Sequence, residues 1–283
     1  MEQPLPSPRT PVELTVDGAP VSVPEGSSVL DACRAAGRDL PTLCYLETLT
    51  PVNACRVCVV EVEGARTLVP ACSRTVGPGM VVTTGSDRVR HSRRLVFELL
   101  ASAVDLSLVD EETKRWMDES GVDGSRFGAD VATVAQPVKV QDELYVRDYE
   151  RCILCYKCVE ACGEDAQKTF AIAIAGRGFS ATVSTEFVVA LPDSACVYCG
   201  NCIGVCPTGA LMGKVEFDMR ASGAWDESAQ TVTRTVCPFC GVGCNLELTV
   251  QDNRIVRATS PRDHPVTSGH LCIKGRFGWE HVQ

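Results

Sequence analysis

Residues 12 to 24 hold apolar and β-branched side chains in two short runs, Val12–Val16 and Val21–Val23, with the turn pair Asp17-Gly18 between them. That pattern predicts a hairpin. Pro24-Glu25-Gly26-Ser27-Ser28 interrupts it, and a helical pattern follows from Val29 to Ala36, with Ser27 or Ser28 as N-cap and Gly37 as the stop. Cys33 falls on the inward face of this helix, one turn on from Val29 and Leu30, and reads as a small buried hydrophobe. Val57–Val62 and Thr67–Val69 are β-rich. Asp87–Ala103 predicts an amphipathic helix and Glu111–Ser120 a second, with loops at Gly121-Val122-Asp123-Gly124-Ser125 and Gly128-Ala129-Asp130. Toward the C-terminal end, Leu246–Val250 and Arg254–Ala258 flank Asp252-Asn253 and predict a strand pair.

Cysteine changes this picture most. Of 17 cysteines, all but Cys33 fall into four sets of four. Cys44, Cys55, Cys58 and Cys72 are spaced C-x10-C-x2-C-x13-C. Cys152, Cys155, Cys158 and Cys162 are spaced C-x2-C-x2-C-x3-C, and Cys196, Cys199, Cys202 and Cys206 repeat this at an offset of 44 residues, with Pro207 next. Cys237, Cys240, Cys244 and Cys272 are spaced C-x2-C-x3-C-x27-C. Iron in a sulfide cluster wants soft, anionic ligands, and thiolates on tight loops supply them while leaving backbone N–H groups free for the sulfurs. Structural zinc also takes four cysteines. Zinc sites use paired C-x2-C knuckles, however, whereas two three-cysteine runs with a delayed fourth favour cubane clusters. Gly241 and Gly243 suit a backbone that wraps closely around such a site.

Charge and composition narrow the class. Apolar residues make up 45% of the 283, and the formal net charge is −9. Four filled sites would take that to about −17, which disfavours nucleic acid as a partner. The one basic run, Arg88, Arg90, His91, Arg93 and Arg94, opens the amphipathic pattern of Val89, Leu95, Val96, Leu99 and Leu100. It reads as a solvated helix face, or as a docking patch for an acidic partner. No apolar run has the ~18 residues of a membrane helix, so direct membrane insertion is not expected. The opening residues lack a secretory pattern, which makes the cytoplasm the expected compartment, where clustered cysteines mean metal or redox chemistry.

The first cysteine set, among strands and one helix, resembles a plant-type ferredoxin, a β-grasp fold around a 2Fe–2S cluster. The 10-2-13 spacing is the variant of the complex I large iron–sulfur subunit, of iron-only hydrogenases and of several formate dehydrogenases. The two repeated runs resemble a two-cluster ferredoxin, in which the fourth cysteine of each run ligates the other cluster. That resemblance assigns Cys152, Cys155, Cys158 and Cys206 to one site and Cys196, Cys199, Cys202 and Cys162 to the other; Gly163 stands where the first run would have its proline. The last 50 residues, with Cys237-Pro238-Phe239-Cys240-Gly241-Val242-Gly243-Cys244 and Gly269-His270-Leu271-Cys272-Ile273-Lys274-Gly275-Arg276-Phe277-Gly278-Trp279, resemble the first domain of molybdenum or tungsten enzymes that carry two pterin guanine dinucleotides, formate dehydrogenase in particular. Lys274 occupies the position of the family's lysine that bridges cluster and pterin.

These resemblances imply an α+β organisation of four segments. A β-grasp 2Fe–2S ferredoxin domain spans 10–86, and a helical connector spans 87–144. A two-cluster 4Fe–4S ferredoxin domain spans 145–215, and a small β-rich 4Fe–4S module of the Mo/W-bis(pterin) type spans 230–283. The connector lacks the motif of one histidine and three cysteines that often holds a further cluster in these families, and His91 is no ligand. The expected cofactors are one 2Fe–2S and three 4Fe–4S clusters here, with a Mo/W-bis(pterin guanine dinucleotide) on a partner chain. A flavin and NAD diaphorase subunit is the expected second partner. No complete catalytic site or dinucleotide loop is present in the 283 residues, so the expected role is an electron-transfer subunit or N-terminal segment of a formate dehydrogenase-type oxidoreductase. The alternatives are a subunit of a complex I-like NADH dehydrogenase or hydrogenase, and, in a different class, an iron–sulfur redox sensor or scaffold.

Overall fold

The computed structural model describes residues 10–128 and 130–283. Most of the opening stretch that bears on a secretory pattern, and Ala129 of the Gly128-Ala129-Asp130 loop, lie outside the described residues. The chain divides into two compact units. Of the described residues, the first holds those up to Tyr45, Pro51–Leu100 and Glu111–Gly128; the second holds Leu46–Thr50, Ala101–Asp110 and residues 130–283.

In the first unit, β1 (Pro11–Val16) and β2 (Ala19–Pro24) form the expected hairpin. Asp17 and Gly18 both have positive φ, 48° and 80°, as a type I′ turn demands. The Asp17 carboxylate accepts from the Thr84 N–H (2.8 Å) and hydroxyl (2.6 Å) and faces Arg38 at 3.1 Å, which fastens the turn. Helix α1 (Val29–Ala35) starts at a capping box: Ser28 Oγ accepts from the Asp31 N–H, and the Asp31 carboxylate accepts from the Ser28 N–H. Strands β3 (Val59–Val62), β4 (Val69–Pro70) and β5 (Val81–Thr83) complete a sheet of order β2-β1-β5-β3-β4, with β1 and β5 parallel. This is a β-grasp. Val12, Leu14 and Val16 point to one face by the two-residue period of a strand, and Val29, Leu30, Ala32 and Cys33 of α1 close over them.

Helix α2 (Asp87–Ala103) and helix α3 (Glu111–Glu119) form as the pattern predicts. The basic run of α2 is largely engaged within its own unit. Arg93 donates to the Val59 carbonyl at 2.8 Å, Arg90 pairs with Asp87 at 2.6 Å, and Arg88 and Arg94 approach Glu61 and Glu98. The buried face of α2 also differs from the expected one: Val89, Phe97 and Glu98 are buried, and Leu99 is half exposed. Glu98 is 2% exposed and accepts from Arg126 at 2.9 Å, so a carboxylate inside the unit holds the segment after α3.

The second unit is built around short elements. Strands β6 (Lys139–Val140) and β7 (Tyr145–Arg147) precede helix α4 (Lys157–Cys162), and strands β8 (Ala173–Ala175) and β9 (Thr182–Ser184) form a hairpin between the two cysteine runs. Helix α5 (Asn201–Gly204), β10 (Leu211–Gly213) and helix α6 (Lys214–Ala221) follow, and β10 pairs with β7 to close the two halves. The C-terminal sheet has order β11-β12-β13, from β11 (Thr231–Val236), β12 (Asn245–Gln251) and β13 (Arg254–Thr259), before the short helix α7 (Ile273–Phe277). The expected pair is β12 and β13, turning at Asp252 and Asn253 with φ of 50° and 59°. The pattern gave no sign of β11, because all six of its residues are exposed and it has no inward face to read.

Replacing Glu98 by Ala should lower the stability of the first unit by about 1–2 kcal/mol. The buried carboxylate is lost, but the arginines it pairs with are partly exposed and water can take them over. A denaturant midpoint unchanged from wild type would show that the pair contributes nothing.

Candidate metal centres

The four cysteines of the first set converge in the first unit. Cys44, Cys58 and Cys72 are buried and Cys55 is partly buried. The Cys44 thiol shares hydrogen bonds with those of Cys55 and Cys72, and Cys58 shares one with Cys72. The proton sharing holds Cys44 far below the usual thiol range and pushes Cys72 far above it. Arg56, at φ 63°, bends the loop so that the Val57 N–H reaches the Cys55 sulfur. Cys33 does not join this set. It is fully buried in the core, and burial, then the Asp17 carboxylate, push its thiol up to about 12.

The repeated runs do not form two sites of consecutive cysteines. Cys206 lies with Cys152, Cys155 and Cys158 around a small pocket lined also by Tyr149, Leu154, Val183 and Leu211. Cys162 lies with Cys196, Cys199 and Cys202 around a second, lined by Tyr145, Tyr149, Ile172, Leu191 and Leu211. Each run therefore lends its fourth cysteine to the other. Both runs use one backbone device. Leu154 and Tyr156 flank Cys155 at φ 52° and 67°, and Tyr198 and Gly200 flank Cys199 at φ 56° and 70°. A residue in the left-handed region turns the next N–H back toward the preceding sulfur. Thus the N–H groups of Lys157 and Asn201, which follow Tyr156 and Gly200, reach Cys155 and Cys199, while the N–H groups of Tyr198 and Leu154 themselves reach Cys196 (3.4 Å) and Cys152. Three of the four flanking residues carry side chains, and each costs about 1 kcal/mol or more in that conformation.

Burial pushes the Cys152 thiol up to about 11 and that of Cys155 to about 12, with Cys158 and Cys202 also raised by it. Thiols in such a pocket become thiolates only against matching positive charge, which bound iron supplies. Among the described residues, no three His, Cys, Asp or Glu side chains are grouped as one metal ion would require. Four thiol donors at each site fit iron–sulfur clusters.

In the C-terminal module, the Cys237, Cys240 and Cys272 thiols all act on Cys244, and the Cys237 N–H donates to the Cys244 carbonyl at 2.8 Å. Cys237 is buried with Leu246 and Leu271, while Cys240 and Cys272 are exposed. Gly243 has the positive φ (76°) expected of a close wrap, whereas Gly241 does not. Lys274 lies exposed on α7, two residues beyond Cys272. Two further groups carry no mark in the cysteine spacing. Tyr145 is buried between the halves and accepts from the Gly200 N–H at 2.6 Å, and Arg276 is buried beneath α7.

Comparison with known families identifies three stretches. Residues 9–87 match the 2Fe-2S iron-sulfur cluster binding domain, residues 151–210 the 4Fe-4S dicluster domain, and residues 230–283 the molybdopterin oxidoreductase Fe4S4 domain. The chain carries three iron–sulfur cluster domains. It is 35% identical over 277 residues to the NADPH-Fe(3+) oxidoreductase subunit alpha of Geobacter sulfurreducens, covering 96% of this chain and 31% of that protein. It is 33% identical to a subunit of an NADH-quinone oxidoreductase of Rhizobium meliloti, covering 96% and 32%. A Staphylococcus haemolyticus protein provisionally named a formate dehydrogenase matches at 27%, over 95% and 31%. The crystal structure of an NAD+-reducing NiFe-hydrogenase in its H2-reduced state superimposes with a TM-score of 0.62 at 28% identity, covering 72% of this chain and 87% of that one. The chain thus spans about a third of the length of the curated relatives it matches.

Changing Cys206 to Ala should remove the electron paramagnetic resonance signal of the cluster at Cys152, Cys155 and Cys158 and leave that at Cys196, Cys199 and Cys202. Loss of the second signal alone would mean that the runs do not exchange ligands. Cys33→Ala should leave the iron content unchanged. Because burial raises the Cys33 pKa on folding, its contribution to stability is present below the ordinary thiol pKa and fades as pH rises from about 9 toward 12. The variant should flatten that alkaline slope, and iron loss instead would make Cys33 a ligand.

Proposed function

We propose that this chain holds one 2Fe–2S and three 4Fe–4S clusters and serves as the iron–sulfur electron-transfer part of a multisubunit NADH- or NADPH-linked oxidoreductase or hydrogenase. What supports this most is the exchange of Cys162 and Cys206 between the two runs, which packs two sites against one set of shared side chains. The relatives at 33–35% identity are named for NADPH- or NADH-linked oxidoreductases, and formate dehydrogenase enters only at 27%. The complex I-like or hydrogenase alternative therefore stands ahead of the formate dehydrogenase expectation. When bound, each cluster takes up and releases one electron at a time.

The chain's own residues hold the clusters, screen them and set their surroundings. Cys44, Cys55, Cys58 and Cys72 would bind the 2Fe–2S cluster. Cys152, Cys155, Cys158 and Cys206 would bind one 4Fe–4S cluster, Cys162, Cys196, Cys199 and Cys202 the next, and Cys237, Cys240, Cys244 and Cys272 the last. Tyr149 and Leu211 line both ferredoxin cavities and keep water from the space between them. The Cys240 and Cys272 site lies at the surface, where a partner chain can approach, and among the described residues no helix is long and apolar enough to cross a membrane. The compartment proposed is the cytoplasm, and the partners proposed include a flavin and NAD diaphorase subunit.

A molybdenum or tungsten pterin partner, with Lys274 beside its cofactor, is a second reading. The match of residues 230–283 to the molybdopterin oxidoreductase Fe4S4 domain favours it.

Anaerobic isolation of the native complex with metal analysis tests both. The expected result is about 14 irons per chain, besides those of partners, with a flavin-bearing subunit. Molybdenum or tungsten in stoichiometric amount would move the assignment to the pterin reading; iron for fewer than four clusters would refute the cluster set. In a complex that contains pterin, Lys274→Ala should slow electron delivery about tenfold without loss of iron, and unchanged dye-reduction rates would remove Lys274 from the path.

A further inference from the structure

Arg276 is 4% exposed and lies at the base of the C-terminal module. Its N–H donates to the carbonyl of Cys272 at 3.0 Å, so it follows directly from the last cysteine of that module. Its side chain nevertheless runs to the loop of the second ferredoxin run. A Cβ on Gly200 would stand 2.7 Å from Arg276 Cγ, and one on Gly204 would stand 2.9 Å from Nη2. Two neighbouring contacts seat α7 there: the Leu271 N–H donates to Asn201 Oδ1 at 2.9 Å, and the Phe277 ring lies 5.5 Å from that of Tyr145.

The guanidinium is incompletely satisfied. Nη1 donates to the Ala258 carbonyl at 3.1 Å, while Nε and Nη2 have no hydrogen-bond partner among the described residues. The Tyr145 phenol and the Cys202 and Cys199 thiols are the leading acidic groups that act on it, with the Arg257 cation acting against them. A buried cation with unpaired donors is costly unless an anion meets it. An arginine stays charged at any working pH. The anion available at this place is the sulfur set of Cys199 and Cys202, and two glycines have left the room for the side chain to reach it.

We infer that Arg276 is the built-in counter-cation of the cluster site formed by Cys162, Cys196, Cys199 and Cys202, presenting Nε and Nη2 to its sulfur atoms and favouring its reduced form. This rests on the reading of those four cysteines as cluster ligands. Reduction adds one electron and one negative charge to a site that is already negative, so a buried cation beside it raises the midpoint potential. Because the arginine comes from the C-terminal module, the seating of that module sets the potential of a cluster in the ferredoxin domain. Arg276 is a positioning and tuning residue, not a ligand.

The test uses the full-length protein, isolated anaerobically, with midpoint potentials from redox titration monitored by electron paramagnetic resonance. Arg276→Met should keep the iron content and shift the reduction equilibrium of one 4Fe–4S cluster about tenfold toward the oxidised form, about 59 mV for one electron. Arg276→Lys should restore most of that shift. Full iron with all midpoints unmoved in Arg276→Met would make the residue a packing element and overturn the inference. If Arg276→Met fails to assemble, protein labelled with 15N in its arginine guanidinium groups decides. A 15N hyperfine coupling on a reduced 4Fe–4S cluster that Arg276→Lys removes supports the contact, and its absence overturns it. A wild-type iron count short by one 4Fe–4S cluster would instead refute the ligand reading beneath it, which separates the two failures.

Discussion

Thiolate sulfur inside a protein needs compensation, and the architecture follows from how it is supplied. A buried thiol keeps its proton unless positive charge or N–H donors meet the anion, as the raised pKa values of Cys152 and Cys155 show. The chain answers with backbone. Left-handed residues beside Cys55, Cys155 and Cys199 aim N–H groups at sulfur, and non-glycine side chains at Arg56, Leu154, Tyr156 and Tyr198 accept the conformational cost. Strain of this size persists only where surrounding structure over-determines it. Around the ferredoxin loops the surroundings are Tyr145, Tyr149 and the β7–β10 pairing, which fix both loops at once.

Exchange of the fourth cysteine makes the two ferredoxin halves interdependent. Cys162 ends α4 in the first half but faces the second cavity, and Cys206 does the reverse. Neither site can be completed while the halves are apart, so β7 and β10 hold the protein's cofactor sites as well as its sheet. The segment Leu46–Thr50 belongs to this same unit. Leu46 and Leu49 pack with Ala161 and Val205, each next to one of the exchanged cysteines, and Asp165 accepts from the Thr50 N–H at 2.6 Å. The long C-x10-C spacer of the first cysteine set thus contains a piece of the second unit's core.

The cysteine sites of the second unit differ in exposure. Of the eight ferredoxin cysteines, Cys155 and Cys158 are buried and the other six half-buried among aromatic and aliphatic side chains, whereas the last site leaves Cys240 and Cys272 at the surface. That difference accords with the proposed electron-transfer role, and the relatives are named as oxidoreductase subunits.

Much of this was legible in the chain. Strand and helix patterns around Val12–Val23, Val29–Ala36 and Asp87–Ala103 are local, and the resulting elements sit where the patterns place them. Cysteine spacing is local too, since a two-residue spacer permits only a tight loop around one centre. What spacing could not carry is contact between residues far apart. Phe97 and Glu98, not Leu99, face inward on α2, where Arg126 meets the Glu98 carboxylate. Strand β11 has no buried face, so only its pairing with β12 defines it. Arg276 looks like any surface arginine after Lys274-Gly275, and it is buried only because Gly200 and Gly204, far earlier in the chain, leave it space. Residue type and short-range spacing select ligands and elements, because those depend on the nearest few bonds. Which charges share a low-dielectric interior depends on folding, and only the folded chain brings Arg276 to Cys199 and Cys202.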